Sequence, residues 1–246
     1  MNNMPPITKN LLIINVLAFF GSYVIRQVYG IDADRYLGLH LFLSDNFNLL
    51  QPLTYMFMHG GFSHLLCNMF ALWMFGRVLE QMWGGKRFLL FYLVCGIGAG
   101  LVQEAVQGIR FLTAEAGMSP DEVEAVLAHG TNAWNEGKNF IAPQMAHLNA
   151  LLNSGTVGAS GSIFGILLGF GMSFPEERIF VMPLPFPIKA KYFVAGYAVI
   201  EILMGMANNP YDNVAHFAHL GGMVFGFLLI MYWKRKNRNN GYYYYN

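Results

Sequence analysis

Three short stretches of this sequence carry polar residues whose types and spacing suit nucleophilic chemistry. They are His59-Gly60-Gly61-Phe62-Ser63-His64-Leu65-Leu66-Cys67-Asn68, Gly158-Ala159-Ser160-Gly161 and Ala215-His216-Phe217-Ala218-His219-Leu220-Gly221-Gly222. A hydroxyl beside an imidazole is the minimal activated nucleophile, because the ring nitrogen removes the proton as the oxygen attacks a carbonyl. His64 and Asn68 are four residues apart and share one face of a helix. Their side-chain donors suit a developing oxyanion. Each piece alone is weak: a Gly-x-Ser-Gly in a glycine-rich helix is mostly packing, and a histidine at a helix start is mostly an interface residue. The combination at one depth is far more specific. A rival chemistry uses the same residues, since His59, His64, His216 and His219 as four imidazoles suit zinc or copper. There is no His-Glu-x-x-His of a zinc protease.

The solvent around these residues follows from composition. The chain has 246 residues, 55% hydrophobic and 12% charged. A soluble domain carries about 25% charged residues, so half the usual charge is available to solvate a surface of this size. A polytopic helical membrane protein is the class that remains. The net charge of +1 and the absence of a basic face exclude a nucleic-acid partner. Cys67 and Cys95 both lie in apolar runs and imply no disulfide framework.

A membrane span needs about 20 mostly apolar residues. Runs near 10–28, 62–82, 87–106, 155–174, 191–208 and 213–233 meet that need and predict six helices with both termini on one side. The first run has only Lys9 before it and no small-residue cleavage site after it, so it is expected to be a retained helix rather than a signal peptide. Lys9, Lys86, Arg87, Arg178, Lys189, Lys191, Lys234, Arg235, Lys236 and Arg238 fall on one face. The positive-inside rule makes that face cytoplasmic, with both termini. The tail at 234–246 ends in an aromatic patch, Tyr242 to Tyr245, read as an interface contact or a disordered end. The first outer loop, 29–61, is too apolar for a free linker and is expected to lie in the interface and pack on the bundle.

The three reactive stretches then sit toward the outer ends of their helices. Gly161, Gly165 and Gly169 form an i, i+4, i+8 stripe on the fourth span, and Ala218, Gly222 and Gly226 form another on the sixth. Small stripes let two backbones approach closely in a membrane, which predicts contact between these helices and brings Ser160 near a histidine of the sixth. The loop insertion at about 108–154 is longer than a helix connection requires. Ser119-Pro120-Asp121-Glu122 reads as a capping box with proline at the first helical position. A surface helix is predicted from there to Gly130 or Gly137, and a second from Pro143 to Leu152, forming a brace or a cover beside the active-site mouth.

At these residues the sequence resembles the rhomboid family of intramembrane serine proteases, over roughly 50–107 and 155–230. The family's H-x-x-x-N appears as His64 to Asn68, its G-x-S-G as Gly158 to Gly161, and its A-H-x-x-G-x-x-x-G as Ala218-His219 with Gly222 and Gly226. The resemblance implies one all-α membrane domain over 1–246, a six-helix rhomboid-like bundle with an extra helical insertion between helices three and four. It implies that Ser160 is the nucleophile and His219 the base. The oxyanion hole is expected from the Ser160 N–H with His64 and Asn68, and Phe164 is expected to stack on the catalytic histidine. Gly158, Gly161 and Gly222 support this arrangement. Between the two histidines, only His219 is followed by glycines at +3 and +7; His216 lies one turn outward and is expected at an interface or behind the site.

Further expectations follow from the resemblance. Glu80, with Arg77 nearby, is a structural hydrogen-bonding group at the cytoplasmic end, and His59 is a structural loop residue. A Trp-Arg pair common in the family's first loop is absent, with Leu50-Gln51 near that place. Apart from Asp212, favoured as a helix N-terminal charge, no acid is expected near His219, so the mechanism is a dyad. Glu201 sits in the fifth span either protonated or paired across the bundle. The expected function is a serine-type endopeptidase cutting transmembrane segments of membrane proteins, without cofactor or metal, in the plasma or bacterial inner membrane. The alternatives are a histidine-lined metal-binding or transport protein and a non-catalytic relative that binds membrane helices.

Overall fold

The computed structural model describes residues 4–180, 185–207 and 214–239; Asp212 and the tyrosine-rich end at 242–245 lie outside the described residues. Apolar runs free of internal proline build the helices. The first, α1 (Pro6–Tyr29), starts on a proline and stops at Gly30, whose φ of 67° closes the helix in the left-handed region. Pro5 offers no side-chain cap. The cap comes from across the fold: Glu80 accepts hydrogen bonds from the N–H groups of Ile7 (2.9 Å) and Thr8 (2.6 Å) and from the Thr8 hydroxyl (2.7 Å). A carboxylate there satisfies free amides and meets the positive end of the helix. The structural role expected of Glu80 is thus seen, with α1 as its partner. Arg77 instead lies over the Trp73 ring at 4.5 Å.

Loop one is ordered. It holds α2 (Ala33–Leu37), α3 (Gln51–Thr54) and a 3₁₀ turn at Tyr55–Phe57. Leu39, Leu41, His40, Gln51 and Tyr55 are buried, while Phe42, Leu49 and Leu50 face outward. The loop thus packs on the bundle, as its apolar content predicts. Gln51 ties it together, accepting from His40 N–H and donating to the Tyr36 and Asn46 carbonyls.

The second span is α4 (Phe62–Ala71), a π-helical turn at Leu72–Gly76 and α5 (Arg77–Trp83). The third, α6 (Gly85–Ala116), is 32 residues long. The expected end near 106 is too early, and the insertion therefore starts about ten residues later than 108. The apolar window closes at Gln107, but no proline interrupts the backbone, so the helix rises past it. The two cap helices follow as α7 (Pro120–Asn135) and α8 (Pro143–Asn153), and the Ser119–Glu122 capping box is formed in both directions.

The cap has its own core of Phe111, Val126, Leu148, Leu151 and Leu152, joined by Leu41 from loop one. An amide chain runs from Asn139 through Asn149 and Asn153 to Asn46. Such packing is what the brace expected of this segment would need. Replacing 118–152 with a short Gly/Ser linker strips the cover from Leu41 and Phe111. It is expected to lower the melting temperature and to reduce cleavage of every substrate together. An unchanged melting temperature with a reordered substrate ranking would show a selective cover instead.

The fourth span is shorter than the apolar run 155–174. Thr156 forms an isolated antiparallel bridge with Leu39, Gly158 takes φ 137°, and α9 (Ser160–Ser173) starts only at the serine. After β1 (Arg178–Ile179) and β2 (Ile188–Lys189), which pair antiparallel, come α10 (Ala190–Ala207) and α11 (His216–Asn239). Among the described residues, five helical segments are long and apolar enough to cross a membrane, and α9 is a shorter apolar helix. The chain is an all-α polytopic membrane protein. At 14 residues, α9 is about 21 Å long, less than the roughly 30 Å of hydrocarbon. A helix that short does not reach across the hydrocarbon from end to end.

The core forms where α6, α9 and α11 meet. A Cβ at Gly161 would strike the Ala99 Cβ, one at Gly165 the Cys95 sulfur, and one at Gly222 the Gly161 carbonyl. The two stripes do meet at Gly161, Gly165, Gly222 and Gly226, where a Cβ on Gly226 would come within 3.4 Å of the Gly165 Cα. Gly169 departs from the expected seam and faces Trp83, Leu79 and Phe91. By that turn the helices have diverged enough to admit aromatic side chains.

Candidate active site

The start of α9 and the first turn of α11 set the site. Because the glycine seam locks these helices at short range, the side chains above it have no freedom to separate. Ser160 Oγ lies 2.8 Å from His219 Nε2. The Phe164 ring, one turn after the serine, stacks on His219 with centroids 4.1 Å apart and planes 8° from parallel. Stacking fixes the plane of the imidazole, so the hydrogen bond to Ser160 is its remaining directional contact on that side. His219 is buried.

Loop one holds the approach to the serine. Gly158 N–H donates to the Tyr55 carbonyl at 2.9 Å, and the Tyr55 hydroxyl donates to the Gly96 carbonyl at 2.6 Å. Gly158 is a position where glycine is required twice over. Its φ of 137° excludes other residues, and a Cβ would stand 2.8 Å from His64 Cε1 and 3.4 Å from Ser160 Oγ. The His64 ring and the serine hydroxyl therefore flank the same small space.

Asn68, one turn along α4 from His64, is buried and its Nδ2 has no hydrogen-bond acceptor among the described residues. A buried amide left without an acceptor costs about 1–3 kcal/mol, and such a donor is available to a group that arrives. Ser160 is the first residue of α9, so its N–H is one of the free donors of a helix N-terminus, where negative charge is favoured. Asn68, His64 and this N–H supply donors from two elements. His59 is buried in the loop before α4 and its ring meets that of His64 at 5.2 Å. Burial, with His64 beside it, pushes its pKa down to about 4, so it packs as a neutral ring, in keeping with a structural role.

The sequence motifs place no acid near His219. The structure brings one: Glu201 Oε2 lies 2.9 Å from His219 Nδ1 and 2.6 Å from His216 Nδ1. Of the two states expected for Glu201, it is paired across the bundle. His216 does not face outward as an interface residue; it is buried against the same carboxylate. The only signal in the sequence was a lone glutamate in an apolar span, because α10 and α11 are brought together by tertiary packing and not by any local spacing.

The four-imidazole cluster does not form. His59 and His64 pair with each other, and the close group of potential ligands among the described residues is Glu201, His216 and His219. Those three stand at hydrogen-bond distance. Ligands about 2.0–2.1 Å from a tetrahedral zinc would be about 3.3 Å apart.

A hydroxyl, an imidazole held in plane and a set of donors beside them can carry out acyl transfer. The chain matches the family model described as Rhomboid domain over residues 46–236. It is similar to Rhomboid protein 1, mitochondrial, of Saccharomyces cerevisiae, with 27% identity over 244 residues, covering 92% of this chain and 56% of the yeast protein. It is similar to Rhomboid protease AarA of Providencia stuartii, with 24% identity over 233 residues, covering 91% of this chain and 70% of that one. Rhomboid-like protein 11, chloroplastic, of Arabidopsis thaliana is 25% identical over 233 residues, covering 89% and 62%. The chain spans about half the length of several of the curated relatives it matches. With the family match reaching from loop one through the whole of α9, α10 and nearly all of α11, the chain belongs to the rhomboid family.

Proposed function

We propose that this protein is an intramembrane serine endopeptidase that cleaves transmembrane segments of other membrane proteins. The observation that carries the reading is the 2.8 Å contact of Ser160 Oγ with His219 Nε2, under a stacked Phe164, at the start of a short apolar helix. His219 takes the serine proton as Oγ attacks the substrate carbonyl, and gives it to the leaving amine. The oxyanion forms beside the Ser160 N–H, His64 and Asn68. Water then deacylates the serine with His219 again as base. A hydrogen-bonded helix cannot present its carbonyl carbon to Oγ, so the substrate must unwind locally. Sites with small or helix-breaking residues near the outer end of a span suit that need.

The distribution of Lys and Arg supports placing both termini in the cytoplasm and the active-site mouth on the opposite face, with 1–246 acting as one membrane domain. We place the protein in a plasma or bacterial inner membrane. Relatives carry mitochondrial and chloroplast names as well as bacterial ones, so the membrane is tested by fractionation and by protease protection of each terminus.

The test of the activity is labelling with a fluorophosphonate, which reacts with an activated serine. Labelling is expected in the parent and absent in Ser160→Ala, and chelators are expected to leave it unchanged. No labelling of the parent would sink the protease reading and favour a non-catalytic relative. Strong inhibition by chelators would favour a metal protein.

The donors have their own test. Removing one oxyanion donor costs about 10²–10³ in kcat in a soluble protease. The double variant His64→Ala, Asn68→Ala is expected to lose at least that much while Ser160 stays in place. Unchanged turnover in the double variant would refute the oxyanion role.

A further inference from the structure

We propose that Glu201 is a positioning residue for His219, so that this protein works through a Ser160–His219–Glu201 relay and not a simple dyad; this rests on the protease reading above. The argument begins with donors and acceptors. Oε2 of Glu201 is within hydrogen-bond distance of two ring nitrogens, Nδ1 of His219 at 2.9 Å and Nδ1 of His216 at 2.6 Å. A carboxylate is acceptor-only. Both histidines therefore carry their proton on Nδ1. For His219 that leaves the Nε2 lone pair facing Ser160 Oγ, 2.8 Å away, which is the tautomer a general base requires.

The carboxylate is buried, as are both histidines. A buried charge without donors is costly, and two N–H groups on one oxygen compensate it. His216 thus holds the carboxylate from one side while His219 uses it from the other. When His219 takes the serine proton, the imidazolium forms against a negative charge already in place, so little reorganisation is needed. The orientation is determined on three sides: Phe164 holds the ring plane, Ser160 meets one nitrogen and Glu201 the other.

Among the described residues, the titratable groups facing this centre are His216 and His219 on α11, Tyr197 one turn before Glu201 on α10, and His64 on α4, which faces His219. Glu201 is the acid among them, so its removal has a defined sign. Without the carboxylate the imidazolium is destabilised, and the base gives up its proton at lower pH.

The experiment compares Glu201→Gln, Glu201→Asp and the parent, each purified in detergent or lipid, by cleavage of one transmembrane substrate across pH and by fluorophosphonate labelling. Glutamine has the shape of a protonated glutamic acid but cannot stabilise the imidazolium. In a soluble protease triad the corresponding acid-to-amide change lowers kcat about 10⁴-fold. Glu201→Gln is expected to lower kcat by about 10²- to 10⁴-fold with KM nearly unchanged, and to move the acid limb of kcat/KM to lower pH. Glu201→Asp, which keeps the charge on a shorter stem, is expected to regain part of kcat and to restore the acid limb toward the parent.

If Glu201→Gln cleaves like the parent with the same pH profile, Glu201 is a structural group and the proposal is wrong. The proposal is equally wrong if glutamine and aspartate lose activity to the same extent, in proportion to lost melting temperature and with the pH profile unmoved. If the parent itself neither cleaves nor labels, the protease reading fails, and this outcome is distinguishable from both of those.

Discussion

Replacing Ser160 or His219 by alanine is expected to abolish cleavage of a transmembrane substrate, while His216→Ala loses far less. The expectation rests on which nitrogen meets which atom. His219 Nε2 is the group at 2.8 Å from Ser160 Oγ, and Phe164 stacks on His219. In a soluble serine protease, loss of the nucleophile or of the base costs about 10⁶ in kcat; here a fall of at least about 10⁴-fold is expected, below the floor of a typical assay.

His216 touches the carboxylate, while His219 touches both carboxylate and serine. Among the described residues Glu201 has these two ring donors, and loss of the His216 one, a hydrogen bond to a charged group, is expected to leave turnover within about tenfold of the parent. A gel-based cleavage assay on the three variants, with melting temperatures measured alongside, decides the matter. An inactive but folded His216→Ala with an active His219→Ala would reverse the assignment.

The second large effect is structural. Gly222→Ala is expected to destabilise the protein severely and to abolish activity with it. A methyl there would collide with the Gly161 carbonyl, a backbone atom held by the first turn of α9. Side chains can rotate away from a new methyl, but a helix backbone can only shift as a whole. Overpacking of a core costs about 1–3 kcal/mol, and a collision with backbone belongs at or above the upper end. The shift also moves Gly161, the residue after Ser160, so Ser160 leaves its place relative to His219.

Gly196→Ala in α10 is the matched control. A Cβ there meets nothing within 4 Å, so the same substitution is expected to gain about 0.5–1 kcal/mol from helix propensity alone. Thermal unfolding in one detergent compares the two. Equal melting temperatures for Gly222→Ala and Gly196→Ala would contradict the close approach of α9 and α11.

Much of this protein was legible before any coordinates. Six apolar runs, the charge asymmetry and the capping box at Ser119 are local properties: a span needs only enough consecutive apolar residues, and a cap needs only two residues at the right offset. The structure agrees on the helices and on both halves of that box. The expectations for Phe164 and for His219 over His216 came with the resemblance to the rhomboid family, whose motifs the residues around Ser160 and His219 match; the stacking of Phe164 on His219 is seen.

Tertiary structure decided the rest, wherever an interaction joins residues distant in sequence. The apolar run of the fourth span does not reveal that the bridge to Leu39 and the bond to Tyr55 hold 155–159 out of the helix, which sets where α9 begins. It took the bundle to show Glu80 capping α1 from 72 residues away, and Gly169 turned toward aromatic side chains instead of α11. Above all it took the bundle to bring Glu201 to His219. A carboxylate in an apolar span announces that it must have a partner, because the membrane penalises it otherwise. Only the packing of α10 on α11 says which partner it has.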